Sequence, residues 1–77
     1  MKPWMAVAIV DDPGRLIEVA HGSITTRGPY LGVVLAASDA HVLHGNFNLL
    51  GSFDDPSEAH GAVQEWAANW SEPDLYA

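Results

Sequence analysis

The chain has 77 residues, no cysteine and a formal net charge of −7, because Lys2, Arg15 and Arg27 oppose ten acidic residues. This length fits one domain over residues 1–77, and the lack of cysteine excludes disulfides and thiolate metal sites. Phosphate and anionic lipid are both bound through Lys and Arg, so we expect neither direct nucleic-acid binding nor membrane binding.

The first two predicted strands form a hairpin. Trp4–Val10 is an apolar run of strand length, and the Asp-Asp-Pro-Gly sequence after it is typical of a tight turn. Arg15–His21 is predicted to return antiparallel to the first strand, since its β-branched residues favour extended backbone. Residues 22–26 extend this second strand in one alternative, with a bulge or bend at Gly22.

Two more strands are predicted in the middle of the chain. Tyr30–Ala37 is the most hydrophobic segment and follows a turn at Arg27-Gly28-Pro29. His41–Phe47 is predicted as the fourth strand. Asn48–Phe53 either continues it past a bulge at Gly45 or forms a loop.

The segment from Asp55 to Trp70 is predicted to be an amphipathic helix. Asp55 is a good N-cap and Pro56 suits the first helical position, while Pro73 prevents continuation. Gly61 and Ala68 lie on the polar side, either by chance or as a small-residue strip that a partner approaches closely. At about 100° per residue, one apolar face carries Ala59, Ala62, Val63, Trp66, Ala67 and Trp70.

The predicted fold class is α+β: a four-stranded antiparallel β-meander with one C-terminal amphipathic helix packed on one face, in the order ββββα. The sheet spans about residues 3–53, the helix about 55–70 and a tail 71–77. Side-chain alternation along the strands separates two faces. The helix is expected to cover the face with the larger side chains, namely Met5, Val7, Ile9, Leu16, Ala20, Leu31, Val33, Leu35, Leu43 and Phe47.

The second predicted face is also apolar, although its side chains are smaller. A monomer rarely exposes a large apolar patch, so we expect a second copy or another partner to cover this face. Its members are Trp4, Ala6, Ala8, Ile17, Val19, His21, Ser23, Val34, Ala36, Val42 and His44.

No motif indicates catalysis or a bound cofactor. The paired carboxylates have turn or cap roles, and the four histidines lack the spacing of a metal site. We therefore predict no enzymatic activity, no cofactor and no metal site. The residues expected to bind a partner are Trp4, Ile17, Val19, His21, Val34, Val42 and His44, with the acidic turn residues Asp11 and Asp12.

The strand-to-helix junction is similar to that of plant ethylene-response-type and integrase arm-binding DNA-binding domains, on Gly51, Phe53, Glu58 and Ala59. Those families read DNA with Arg and Trp on the sheet, and this sheet has almost no Arg. A ligand or nucleic-acid module using Trp4, His21 and His44 is therefore the weakest alternative.

In size, acidity and lack of catalytic motifs, the chain resembles small inhibitors of phages and mobile elements, such as anti-CRISPR proteins, and acidic antitoxins. This resemblance implies a protein that docks on a partner with a basic surface and masks it. The main alternative is a homodimer of housekeeping role that self-associates through the apolar sheet face. No secretory signal or membrane-length apolar run is evident, so we expect a cytoplasmic location.

Overall fold

The computed structural model describes residues 2–10, 13–43 and 47–71. The four strands form one antiparallel sheet in the order β2-β3-β1-β4. The α+β class, the four antiparallel strands and the C-terminal helix are therefore confirmed. In chain order the elements are β1 (Trp4–Ile9), α1 (Pro13–Val19), β2 (Thr25–Arg27), β3 (Tyr30–Ala36), a 3-10 helix (Ala37–Val42), β4 (Phe47–Phe53) and α2 (Pro56–Asn69).

The strand order is not that of a meander, because the segment predicted as the second strand is helical. The strand prediction for Arg15–His21 is wrong, since α1 covers most of it. Leu16 and Ala20 both pack into the core while Glu18 between them is exposed, which is a helical pattern. In a strand, Glu18 would share the face of Leu16 and Ala20.

A helix-start signal for α1 is present in the sequence. Asp-Asp-Pro occurs at residues 11–13 and again at 54–56, and a helix begins at the proline in both places. Proline suits the first turn because the amide it lacks has no intrahelical partner there. The Asp-Asp-Pro signal that predicts the start of α2 therefore also predicts the start of α1. The β-branched residues of the segment favour a strand instead, so the two signals disagree.

The predicted fourth strand is also displaced along the chain. His41–Phe47 is not a strand at its start, because the 3-10 helix extends to Val42. His41 Nδ1 lies 3.1 Å from the Ser38 carbonyl oxygen, a local contact of the kind that competes with strand pairing. The strand alternative for Asn48–Phe53 is confirmed, and it begins at Phe47.

The sheet lies between two helical layers. On one side a core cluster holds Leu16 of α1 with Val7, Ile9, Val33 and Leu35 of the sheet. On the other side, α2 contributes Ala59 and Val63 to a second cluster. Both faces of β1 are thus covered, and Ala6–Ile9 is buried at every position. This explains why the first strand is an unbroken apolar run.

The two predicted groupings of β1 and β3 side chains are confirmed, but the face assigned to α2 is wrong. The helix packs on the small-residue face, where Ala6 and Val34 lie, and the larger residues pack with Leu16 of α1 and with Leu43, which follows the 3-10 helix. The reason is steric. A Cβ atom at Gly32 would lie 2.5 Å from Trp66 Cζ3, so the bulky ring needs a residue without a side chain beneath it.

The N-terminus of α2 is fixed as predicted. The Ser57 backbone amide donates to Asp55 Oδ1 at 2.8 Å, and the Ser57 hydroxyl donates to the same oxygen at 2.8 Å. These bonds, the backbone one first, lower the pKa of Asp55. Its pKa is therefore lower in the folded than in the unfolded chain, so its stabilisation is present at neutral pH and is lost as pH falls through the folded pKa.

Asp55→Ala is expected to lower the melting temperature at pH 7, because it leaves first-turn amides without an acceptor. The loss should be smaller at an acidic pH below the folded-state pKa of Asp55, because the wild-type carboxylate is itself protonated there. Thermal unfolding followed by circular dichroism at both pH values measures this. Asp54→Ala, which leaves the Asp55–Ser57 bonds intact, is the control. An equal loss at both pH values would contradict the role assigned to the ionised cap.

Candidate functional site

The predicted partner face does not exist as an open surface. Val34 is only 1% exposed, and half-buried Trp4 packs against the same cluster beneath α2. The prediction that a partner covers this face is therefore wrong, because the chain's own C-terminal helix covers it. The small side chains on this face, which were predicted to form an interface, are instead the surface on which α2 packs.

The other predicted partner residues are dispersed. Val19 lies on α1 and Val42 on the 3-10 helix, and both are half-buried. Ile17 on α1 is 54% exposed, and His21 after α1 is exposed. The predicted residues His44, Asp11 and Asp12 lie outside the described residues. A partner role for those that remain accessible stays a prediction.

Two of the four exposed large apolar side chains in the described residues lie along β4. Phe47 is 41% and Leu49 56% exposed. Phe47 pairs with Ile9 and Leu49 with Val7, so both side chains lie on the face of the sheet that α1 partly covers. The pairing shifts by one residue between Ala6 and Val7, which places a bulge in β4 at Leu50.

β4 is also an open edge of the sheet. Within residues 2–10, 13–43 and 47–71, β1 is the only strand paired with it. Its seven residues, FNLLGSF, contain no charge and no proline. Charged residues, proline and short length are the usual protections of an edge strand, and β4 has none of them, with only the bulge to interrupt it.

The opposite edge strand, β2, is different in kind. It has three residues and carries Arg27, whose Nε donates to the Ala67 carbonyl oxygen at 3.0 Å. This bond ties β2 to the last turn of α2, where cations favour the helix dipole. The two edges are therefore unequal: β2 is short and charged, whereas β4 is long and uncharged.

An open groove of about 420 Å³ lies on the α2 side of β4. Leu50 forms its sheet side, and Ala62 and Trp66 of α2, with Trp70 directly after the helix, line the other side. Glu65 and Asn69 add polar groups at the helix side. The edge of β4 thus has apolar surface on both faces of the sheet, with Phe47 and Leu49 on one and the groove on the other.

Acidic groups accompany this edge. Asp54 and Asp55 directly follow β4 and are exposed, and Glu65 lines the groove. With a net charge of −7 on the whole chain, the potential around the edge is expected to be negative.

A second cluster lies away from β4, where His21, His60 and Trp4 meet. His21 Nδ1 is 3.4 Å from His60 Nε2, and the Trp4 and His21 rings contact edge to face with centroids 4.8 Å apart. Sequence spacing does not reveal this pair, because its members are 39 residues apart.

The described residues contain no group of three or more potential metal ligands and no buried polar or charged side chain. Neither of their two α-helices has the length and hydropathy that crossing a membrane requires. Comparisons with models of known families, with curated proteins and with solved structures give no match to this chain.

Proposed function

We propose that this chain is a non-enzymatic, cytoplasmic protein-interaction module. It binds an extended segment of a partner protein along β4 and thereby masks that segment. The observation that carries the proposal is the open, uncharged β4 edge with apolar surface on both of its faces. The proposed docking surface is β4 rather than the sheet face predicted from the sequence, because α2 covers that face. The proposed mode of action, docking on a partner and masking it, is the same.

Strand addition explains how such an edge recognises a partner. An extended segment beside β4 pairs its backbone with the free amides and carbonyls of the edge. Its side chains then alternate between the two faces of the sheet. One set contacts the strip formed by Phe47 and Leu49, and the other contacts the groove formed by Leu50, Trp66 and Trp70.

The charge of the module indicates the charge of the partner. Asp54, Asp55 and Glu65 border the edge, so a segment with apolar residues at its centre and Lys or Arg at its ends complements it. Opposite charges also accelerate association, and this contribution falls as salt screens them. A module of this type suits an inhibitor or antitoxin that occupies a basic binding surface.

Fluorescence anisotropy with short labelled peptides tests the proposal. The peptides share a centre of alternating apolar residues and differ in their flanks, which are basic, acidic or neutral. We expect the basic peptide to bind most tightly and to weaken between about 0.05 and about 0.5 M salt. If none of the peptides binds, or if the acidic peptide binds best, the proposal is wrong.

Two matched variants locate the binding surface. Leu49 and Ile17 are almost equally exposed, at 56% and 54%, but only Leu49 lies on β4. Leu49→Lys is expected to weaken basic-peptide binding by at least about tenfold, since it places a repulsive charge in the apolar strip. Ile17→Lys, on α1, should weaken binding less than Leu49→Lys does. Equal effects of the two variants would contradict docking at β4.

Sedimentation of the purified chain decides between a foreign partner and a second copy. A monomer that binds the basic peptide supports the proposal. A dimer that dissociates in Leu49→Lys would instead show that β4 pairs with itself and that the chain is a self-associating protein.

A further inference from the structure

His21 and His60 form a pair that the β4 surface does not use. His21 follows α1, and its backbone amide donates to the Val34 carbonyl oxygen at 2.7 Å, which fixes it beside β3. His60 lies in the first half of α2. Their facing ring nitrogens, His21 Nδ1 and His60 Nε2, are 3.4 Å apart at the protein surface.

The distance between these nitrogens is informative. Ordinary N–H hydrogen bonds span about 2.7–3.2 Å, so a 3.4 Å contact is a long and weak one. Two Zn–N bonds of about 2.0–2.1 Å at the tetrahedral angle place their nitrogens about 3.3–3.4 Å apart. Adjacent nitrogens of a square-planar copper site lie closer, at about 2.8–2.9 Å. The separation is therefore compatible with two ligands of one tetrahedral Zn²⁺ ion.

Both rings are held in position by their neighbours. Trp4 packs edge to face on His21, with ring centroids 4.8 Å apart. His60 lies directly over Gly22, where a Cβ atom would be 2.6 Å from His60 Cε1. Gly22 also has φ +82°, a backbone conformation that glycine adopts most readily. The two nitrogens are thus arranged before any ligand binds.

We propose that His21 and His60 form a binding site for Zn²⁺, with His21 Nδ1 and His60 Nε2 as its two protein ligands. No other His, Asp or Glu completes a group of three in the described part of the chain. Water, or a donor of a bound molecule, fills the remaining two positions, one more than in catalytic zinc sites, which keep three protein ligands. The net charge of −7 raises the local concentration of cations.

Calorimetric titration of the intact chain with Zn²⁺ tests the site. We expect one ion per chain, and a loss of at least about tenfold in affinity for both His21→Ala and His60→Ala, because even outer-shell changes cost about 10–100-fold. His41→Ala is the matched control: His41 is exposed and contacts the Ser38 carbonyl oxygen, away from the pair. It should bind Zn²⁺ as the wild type does.

Nitrogen-resolved NMR of the histidine rings gives an independent readout. Zn²⁺ is expected to shift His21 Nδ1 and His60 Nε2 and to leave the protons on His21 Nε2 and His60 Nδ1. The same spectra without metal show whether each variant is folded, and His60→Gln replaces His60→Ala if the latter is not. No binding up to about 1 mM Zn²⁺, equal affinity in all variants, or shifts at other nitrogens would overturn the proposal. None of these outcomes bears on the proposed peptide binding at β4, because the two histidines lie away from that strand.

Discussion

Val34→Asp is expected to unfold the protein. Val34 is 1% exposed and lies in the cluster between the sheet and α2, where a carboxylate has no partner. An unpaired buried charge costs several kcal/mol, and a domain of this length has only about 4–12 kcal/mol of total stability. Circular dichroism should show loss of the cooperative thermal transition.

Leu49→Asp is the matched control for this prediction. It places the same carboxylate on a residue that is 56% exposed, so the charge stays in water and the fold should persist. A loss of the thermal transition in Val34→Asp but not in Leu49→Asp shows that α2 covers the face with Val34, whereas Leu49 lies on an open one. If Val34→Asp melts as the wild type does, α2 does not cover this face.

Gly32→Ala is expected to destabilise the protein despite adding a single methyl group. The new Cβ atom would lie 2.5 Å from Trp66 Cζ3 and 3.0 Å from Val63 Cγ1, so the helix or the ring must move. Overpacking of this kind costs about 1–3 kcal/mol. Each kcal/mol lowers the melting temperature of a domain this size by roughly 4–8 °C.

Gly61→Ala is the control, because a Cβ atom at Gly61 would have nothing within 4 Å. In a helix interior this change should stabilise by about 0.5–1 kcal/mol. Urea or thermal unfolding of the two variants therefore gives shifts of opposite sign. A Gly32→Ala protein as stable as the wild type would contradict the close packing of α2 on the sheet.

Local signals in the sequence predict the local structure well. Asp55 and Pro56 locate the start of α2, since capping depends on neighbouring residues only. Alternation correctly groups Val7, Val33 and Leu35 on one side of the sheet. These features need no knowledge of how distant segments meet.

Tertiary contacts explain what the sequence does not predict. The face that α2 covers depends on the fit of Trp66 over Gly32, which joins residues 34 positions apart. The β-branched residues of α1 favour a strand, but a helix buries Leu16 and Ala20 while leaving Glu18 in solvent, and this overrides that preference.

The two candidate sites are the features that the sequence predicts least well, because they also depend on tertiary contacts. Exposure of Phe47 and Leu49 follows from the position of β4 at the sheet edge, and strand order decides which strand is an edge. His21 and His60 meet only because α2 packs across the small-residue face. Neither site has a signature in local sequence.

Docking at β4 is tested most directly by backbone and methyl NMR of the chain titrated with the basic-flanked peptide. We predict that chemical-shift changes cluster at the amides of Phe47–Phe53 and at the Leu49 and Leu50 methyls, and that β4 amides become protected from hydrogen exchange. Changes centred on the outer side of α2, at Gly61 and Ala68, with β4 unaffected, would contradict the proposed function.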